Sequence, residues 1–390
     1  SIQLPSHDPS TLVSAMAAVT KHLGFGITVN LSYESPYQFA RRFASLDHLT
    51  QGRIGWNIVT GYLDSAERLI GQKGLKEHDQ RYEQAEEFLE LCYKFWEGSW
   101  ENDAVIIDKK QRIFTQPNKV HAIQHDGKFY KSEGVFQVSP SIQRTPVLFQ
   151  AGASPRGLKF ATRHAEAMFI GGDSTQKLKK QVDSIRELAR LDGRDDQALK
   201  LFAGITVVTA ETDQLAQEKL KEYVKYASSE AGLAHLSSSV GIDFSQYADD
   251  DVIPYQQTNS IVSVNDRFKE QKVTLGDLKA QHLLGGRYPL FVGSGATVAE
   301  QLIELIDASG LDGFNLTRTV APESHHDFIR LVIPELQQRG RYKTEYESGS
   351  LRHKIFQKGH HLPTTHPADQ FRCQSSHSSI KNEDQTKQTA

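Results

Sequence analysis

Runs of consecutive apolar residues alternate along the chain with segments in which apolar residues recur every three or four positions. The runs predict six buried β-strands, and the segments with helical spacing predict a helix after each strand. The predicted strands span residues 23–30, 53–60, 146–151, 165–170, 201–209 and 312–317. The predicted helices span residues 35–49, 79–96, 154–164, 175–191, 213 to about 226, and 322–339.

This alternation is typical of α/β proteins with a parallel sheet. Right-handed crossovers would arrange six strands as an open, doubly wound sheet or as most of a (β/α)8 barrel. Residues 97–145 look irregular, and the polar residues 228–292 look like an insertion before the last strand that covers the site as a lid. Residues 354–390 are predicted to be a disordered tail, which leaves residues 1–353 as the folded domain.

Composition narrows the class of protein. The 390 residues carry 45 Lys and Arg against 48 Asp and Glu, so the chain lacks the basic excess of a nucleic-acid-binding protein. The mean hydropathy is −0.49 and no apolar run approaches the ~20 residues of a membrane span, which argues against a membrane protein. Cys92 and Cys373 are too few for a disulfide framework or a cysteine-based zinc site, and we therefore expect a cytoplasmic location.

A candidate anion site follows the third predicted strand. Ser154 is a good N-cap and Pro155 is favoured at the first helical position, so a helix should begin here. The free N–H groups of such a helix start would face the carboxyl end of the sheet, where they commonly bind phosphate. An ordinary capped helix is the alternative, and the local sequence alone favours it by about two to one.

His78 and Tyr82 form a second candidate, because their spacing of four places them on one helix face. Both side chains can form hydrogen bonds and can lie against a flat aromatic ligand. The alternative is one surface histidine and one core tyrosine, and spacing alone favours that alternative by about three to one.

Polar residues also recur at the carboxyl ends of the first two predicted strands. Thr28 and Asn30 end the first strand, and Asn57 and Thr60 end the second. Active sites of barrels and open α/β sheets lie at this edge. Each pair could instead cap the loop that follows it, but the shared position of the two pairs weakens that alternative.

The remaining motifs argue mainly by exclusion. Residues 293–295 (GSG) open a predicted helix but lack the third glycine of a dinucleotide fingerprint, so we interpret them as a capping loop. The chain has no nucleophile elbow, Walker loop or HExxH motif, and no metal site is predicted. Arg156 and Arg287 could pair with an anionic substrate, although surface solvation is the favoured role of each.

Several of these features belong to a wider set of motifs, which are specific in combination and cover about residues 8–353. The segments are AAVTKHLGFGIT at 17–28, PY at 36–37, AR at 40–41, ASLD at 44–47, GRIGWNIVT at 52–60, HDQRY at 78–82, EF at 87–88, QAGASPRG at 150–157, DGF at 312–314 and RYKTEY at 341–346. On these segments the chain resembles the bacterial-luciferase-like flavin-dependent monooxygenases. Within that family it is most similar to the group of nitrilotriacetate monooxygenase component A and dibenzothiophene-sulfone monooxygenase.

The resemblance implies a TIM (β/α)8-type barrel and an FMNH2- and O2-dependent monooxygenase of a two-component system. It implies a separate NAD(P)H:flavin reductase that supplies FMNH2, a small organosulfur or amino-carboxylate-like substrate, and a possible homo-oligomer. By motif match, the implied flavin contacts are Thr28, His78, Tyr82 and Ser154, with Asn57 as a further contact. His78 could also assist proton transfer near the flavin, because the unperturbed pKa of histidine is about 6.5.

One departure from the family suggests other functions. Members of the family have two further strands before the segment that matches residues 23–30, and the second ends in an Asp that contacts the flavin. Since the chain starts at Ser1 and shows six strands, we expect a barrel that lacks its first two strands. A truncated, non-catalytic flavin-binding or scaffold relative is therefore the main alternative function. An open-sheet dehydrogenase that uses a nicotinamide cofactor is a third.

Overall fold

A seven-stranded parallel sheet forms the centre of the computed structural model, which describes residues 6–256, 268, 272–284 and 288–373. Its strands are β1 (Phe25–Asn30), β2 (Ile54–Val59), β7 (Val147–Gln150), β8 (Ala167–Ile170), β9 (Lys200–Ala210), β10 (Leu290–Ser294) and β11 (Gly313–Thr317). They lie in the order β1-β2-β7-β8-β9-β10, and β11 pairs with β9 as well. The α/β prediction is confirmed, and each of the six predicted strands is present.

Helices follow the strands and begin where the local sequence caps them. They are α1 (Pro9–Val19), α2 (Pro36–Leu49), α3 (Asp64–Leu69), α4 (His78–Tyr93), α5 (Pro155–His164), α6 (Thr175–Leu191), α7 (Asp213–Lys225), α8 (Ser229–Val240), α9 (Leu275–Gln281), α10 (Gly295–Ser309), α11 (Glu323–Asp327), α12 (Ile333–Gln338) and α13 (Leu351–Phe356). Nine of these helices follow a side-chain N-cap that accepts a hydrogen bond from a first-turn N–H, namely Asp8, Ser35, Ser154, Ser174, Thr212, Ser228, Thr274, Ser294 and Ser350.

The sheet has an outer face that packs against α2 and α4, among other helices, and an inner face that α13 covers at the amino-terminal side. Alternate residues of each strand, such as Ile27, Trp56 and Leu148, lie in the main apolar core together with α2 and α4. Because successive side chains of a strand point to opposite faces, Thr28 and Asn57 lie on the inner face. The alternation of side chains along each strand therefore decides which residues could contact a ligand on the inner face.

The strand β10 corrects the sequence prediction, which assigned residues 290–292 to the insertion and residues 293–295 to a capping loop. Leu290 pairs with Thr206 and Ser294 with Ala210, so β10 extends the sheet along the second half of β9. The apolar run of β10 is short and is followed directly by glycine and serine. Its parallel pairing is a contact between distant segments, and local periodicity does not report such contacts.

Residues 97–145 were predicted to be irregular, and this too needs correction. They contain two antiparallel hairpins, formed by β3 (Val105–Asp108) with β4 (Ile113–Thr115) and by β5 (Ala122–Asp126) with β6 (Lys131–Val135). The strands are only three to five residues long, so none has an apolar run of the length on which the prediction relied.

The described residues of the predicted insertion have an apolar core of their own. Leu236 and Val240 of α8 pack with Phe244 and with Leu278 of α9. Residues 257–267, 269–271 and 285–287, including Arg287, lie outside the described residues. That the insertion covers the site as a lid stays a prediction.

The predicted disordered tail is wrong for residues 354–373. Leu362, His366 and Ala368 are buried, and Arg352 just before them forms a buried ion pair with Glu166 at 2.6 Å. These are single long-range contacts, so they leave no periodic pattern in the sequence. Residues 374–390 lie outside the described residues.

The two ends and the two edges of the sheet differ. Leu351, Ile355 and Phe356 of α13 pack against Val147 and Phe149 at the amino-terminal side of the sheet. Within the described residues β1 pairs with β2 alone and β11 with β9 alone, so this part of the chain does not close a hydrogen-bonded ring.

None of the described helices is long and apolar enough to cross a bilayer.

Candidate active site

Thr28 and Asn57 are direct neighbours on the inner face of the sheet, since β1 and β2 pair them in register. The Asn57 side-chain N–H donates to Thr28 Oγ1 at 3.0 Å. Asn57 Oδ1 is buried, yet it has no hydrogen-bond partner among the residues that the structure describes. A buried acceptor without a partner is costly for the fold, and a ligand N–H would satisfy it.

Ser154 lies at the start of α5, at the carboxyl end of β7, and is 7% exposed. Its Oγ accepts a hydrogen bond from the Gly157 N–H at 3.0 Å, so it acts as the N-cap that the sequence predicts. The first turn of α5 contains no acidic residue, so the positive end of the helix dipole is not neutralised locally. This helix start can therefore hold a phosphate.

His78 begins α4 and contacts Ser154 across 76 residues of sequence. Its Nε2 lies 3.1 Å from Ser154 Oγ and its Nδ1 lies 2.8 Å from an oxygen of Asp79. A neutral ring that donates from Nδ1 to Asp79 would accept at Nε2 from the serine hydroxyl. This pattern agrees with the Ser154 oxygen accepting from Gly157.

Tyr82 completes this group and is buried. Its ring lies 5.2 Å from the His78 ring and 5.4 Å from the Phe160 ring, measured between centroids. Burial raises the pKa of its hydroxyl, whose hydrogen-bond partners include Ser154, Gln150 and Thr60. The phenol is therefore protonated at neutral pH and can donate a hydrogen bond.

Two glycines allow the loop after β7 to approach Tyr82. A Cβ on Gly157 would lie 2.6 Å from the Tyr82 hydroxyl and 3.0 Å from Ser154 Oγ, and a Cβ on Gly152 would lie 3.0 Å from the same hydroxyl. Both are closer than carbon and oxygen can approach without displacement. The QAGASPRG segment therefore needs glycine at these positions for steric reasons.

The structure brings the five predicted residues together in two groups. Thr28 and Asn57 form one group, and His78, Tyr82 and Ser154 form the other. Strand β2 joins them, since Asn57 lies in one group and Thr60, three residues on, contacts Tyr82. Three residues of extended chain span about 10 Å, which is the separation of Asn57 and Thr60 along the chain.

Sequence reasoning did not assign two buried residues that support this site. Gln150 ends β7, accepts from the Gly152 N–H and lies beside the Tyr82 hydroxyl. Arg81, next to Tyr82, donates to the carbonyl of Gly61 in the loop after β2, and burial lowers its pKa. A polar residue that ends an apolar strand is the one signal that could have indicated Gln150.

Arg156 is not free to bind an anionic substrate without breaking a contact. Its guanidinium lies 3.6 Å from a carboxylate oxygen of Glu86 and 5.8 Å from the centre of the Tyr82 ring. In the described part of the chain, no three His, Cys, Asp or Glu side chains are grouped to hold a metal ion.

Comparison with known proteins identifies the family of this site. The sequence profile of the luciferase-like monooxygenases matches residues 2–313. The chain belongs to this family. It is 46% identical to a long-chain alkane monooxygenase of Geobacillus thermodenitrificans over 376 residues, which cover 96% of this chain and 82% of the relative.

Further relatives and a solved structure agree with this assignment. A dimethyl-sulfide monooxygenase of Hyphomicrobium sulfonivorans is 44% identical and is matched over 95% of this chain and 78% of its own. A crystal structure of a riboflavin lyase with modified FMN and riboflavin superposes with a TM-score of 0.90 at 40% identity, over 95% of this chain and 83% of that one. The predicted family, barrel-type fold and flavin-dependent monooxygenase class are confirmed. The narrower group is also represented, because a dibenzothiophene-sulfone monooxygenase is 36% identical and a nitrilotriacetate monooxygenase component A is 34% identical.

Proposed function

We propose that this chain is the oxygenating component of a two-component system, which takes reduced FMN from a separate NAD(P)H:flavin reductase and uses O2 to oxygenate a small organic substrate. The observation that carries the proposal is the buried Oδ1 of Asn57, which has no hydrogen-bond partner among the described residues and lies on β2, the strand that pairs with the one before Ser154. Relatives support it, since one is an FMNH2-dependent dimethylsulfone monooxygenase at 30% identity over 58% of this chain.

The residues present fit reduced FMN. Ser154 and the N–H groups at the start of α5 would hold the phosphate. Asn57 Oδ1 would accept a hydrogen bond from the ring system, with Thr28 fixing the orientation of the amide. His78 and Tyr82 would form a side wall.

When bound, reduced FMN supplies the two electrons that activate O2, and one oxygen atom enters the substrate while the other leaves as water. The protein orients the reactants and excludes bulk water from them. His78 would hold or move a proton at Nε2, the nitrogen that faces Ser154. The buried Tyr82 hydroxyl would keep its proton and stabilise the loop after β7.

Anaerobic titration of the purified chain with FMNH2, beside oxidised FMN, tests the flavin site. We expect Ser154→Ala to weaken FMNH2 binding about tenfold or more, because it removes both a phosphate contact and an N-cap. Ser228→Ala is a matched control: Ser228 also caps a helix, α8, by accepting from a first-turn N–H, but it lies outside the site. An equal loss of affinity in both variants would contradict the proposed flavin site.

Turnover is tested separately, by supplying FMNH2 and O2 with candidate substrates. Oxygenated product formed at the expense of hydrogen peroxide would support the enzyme. Tight FMNH2 binding with peroxide release alone, for every substrate tried, would favour the non-catalytic flavin-binding alternative.

A further inference from the structure

Three side chains from α4 and the start of α5 bring their polar atoms to one point. His78 Nε2 lies 3.1 Å from Ser154 Oγ, and the Tyr82 hydroxyl has Ser154 among its hydrogen-bond partners. A Cβ on Gly157 would lie 2.6 Å from the Tyr82 oxygen and 3.0 Å from Ser154 Oγ, so the first turn of α5 reaches the same point. A phosphate at this helix start would therefore have His78 Nε2 as a neighbour.

The Ser154 hydroxyl has only one proton to donate. Its oxygen accepts from the Gly157 N–H at 3.0 Å, which leaves the hydroxyl proton for His78 Nε2. If a phosphate oxygen accepts that proton instead, Nε2 loses its donor and faces acceptors only. Two acceptors in contact repel each other, so Nε2 must then carry a proton of its own.

Asp79 decides which form of the His78 ring can carry that proton. A carboxylate oxygen of Asp79 lies 2.8 Å from His78 Nδ1, on the far side of the ring from Ser154. A neutral ring with its proton on Nε2 would turn a lone pair at Nδ1 toward this carboxylate. The imidazolium has a donor on each nitrogen, one for Asp79 and one for the phosphate. Since 23% of the His78 side chain and 76% of the Asp79 side chain are exposed, bulk water can supply the proton.

The other charged side chains close to Tyr82 already have partners. Arg156, in the first turn of α5, lies 3.6 Å from Glu86, and Arg81 donates to a backbone carbonyl of the loop after β2. The first turn of α5 contains no acidic residue that would repel a phosphate. A phosphate monoester carries about two negative charges at neutral pH, so a cation at His78 would complement it.

We infer that Asp79 is a positioning residue that makes His78 a cationic ligand of the flavin phosphate, and that FMNH2 binding takes up one proton from solvent. This inference rests on the proposed function, because it assigns a charge state to that same flavin site. Neutral His78 gains one proton at Nε2 and keeps the proton that it donates from Nδ1 to Asp79. No covalent bond of the flavin is made or broken.

Anaerobic calorimetric titration with FMNH2 at pH 7.5, in two buffers of different ionisation enthalpy, counts the protons taken up. His78→Gln can donate from its amide but cannot titrate. We expect the wild-type chain to take up about one proton more per FMNH2 bound than this variant. Protons exchanged by the flavin ring are common to both titrations and cancel in the difference. Equal uptake in the two chains would overturn the inference.

Asp79→Asn tests the positioning role. An asparagine amide can donate to Nδ1, which stabilises the neutral His78 ring with its proton on Nε2. That ring donates to the phosphate without gaining a charge. Asp79→Asn should therefore bind FMNH2 about tenfold more weakly, with the low proton uptake of His78→Gln.

Glu230→Gln is the matched control, since Glu230 also lies in the first turn of a helix, α8, but outside the site. It should keep the affinity and the proton uptake of the wild type. Weaker binding by Asp79→Asn with wild-type uptake would show a merely structural role and contradict the inference. Failure of the wild-type chain to bind FMNH2 would instead contradict the proposed function.

Discussion

Tyr82 shows how much a single side chain contributes to this site. Its hydroxyl lies among Ser154, Gln150 and Thr60, and glycine is required at position 157 for the loop to pass it. The sequence predicted Tyr82 as a wall for a flat ligand. The structure adds that the hydroxyl also connects β2, the end of β7 and the start of α5.

Gly157→Ala is expected to weaken FMNH2 binding although alanine is the better helix former. The added Cβ would lie 2.6 Å from the Tyr82 hydroxyl, and overpacking of this kind costs about 1–3 kcal/mol of stability. Displacement of the start of α5 to relieve the contact should lower FMNH2 affinity severalfold. In Gly157→Ala/Tyr82→Phe the clashing oxygen is gone, so the double variant should bind FMNH2 more tightly than Gly157→Ala alone. Titration of the wild-type chain and both variants measures this, and no recovery in the double variant would contradict the steric argument.

At the scale of elements, a buried charge attaches α13 to the sheet in addition to the apolar contacts of Leu351, Ile355 and Phe356. Arg352 bonds to both carboxylate oxygens of Glu166, at 2.6 and 2.9 Å, and to the carbonyls of Thr145 and Pro146. Its Nη1 also donates to the carbonyl of His360, which ties the following segment to the same point.

Arg352→Met should lower the free energy of unfolding by about 3–5 kcal/mol, because it leaves the Glu166 carboxylate buried without its partner. Arg341→Met is the control, since Arg341 forms its ion pair with Asp307 at the surface, where such pairs contribute about 0–1 kcal/mol. Urea unfolding of both variants gives the comparison. Equal losses of unfolding free energy in the two variants would contradict the expectation that the buried Arg352–Glu166 ion pair contributes more to stability than a surface pair.

At the scale of the whole molecule, two buried histidines connect the C-terminal segment to the core. His366 Nε2 bonds to the carbonyl of His164 at 2.9 Å, and its Nδ1 accepts from the Ala368 N–H at 3.1 Å, so its neutral form meets both partners. Burial lowers the pKa of His366 well below 6.5 and also lowers that of His164.

The free energy of unfolding should therefore fall as the pH drops below about 6.5, because the unfolded chain then binds protons that the folded chain does not bind. A lowered folded pKa means that the stabilising contribution is present above 6.5 and is lost toward the folded pKa. His366→Asn can keep one donor and one acceptor without titrating. The slope of its unfolding free energy against pH should therefore be smaller than that of the wild type, by about 1.4 kcal/mol per pH unit. Denaturation at pH 7.5, 6 and 5 tests this, and parallel slopes would contradict it.

The alternation of strands and helices was determined by the sequence alone, because apolar periodicity and N-caps such as Ser154 act between residues close in the chain. The five candidate site residues could be named from motifs shared with the family, which are also short stretches of sequence. Their contacts could not: His78 meets Ser154 only through the pairing of β2 with β7 and the packing of α4 on α5.

Only the tertiary structure decided the seventh strand, the folded segment after α13 and the placement of Tyr288 over Gly204. Each depends on a contact between distant residues: a parallel pairing, a buried ion pair, and a ring in the space that a glycine leaves. Such contacts gain their free energy from burial in the assembled fold, and burial is not a property of any short stretch of sequence.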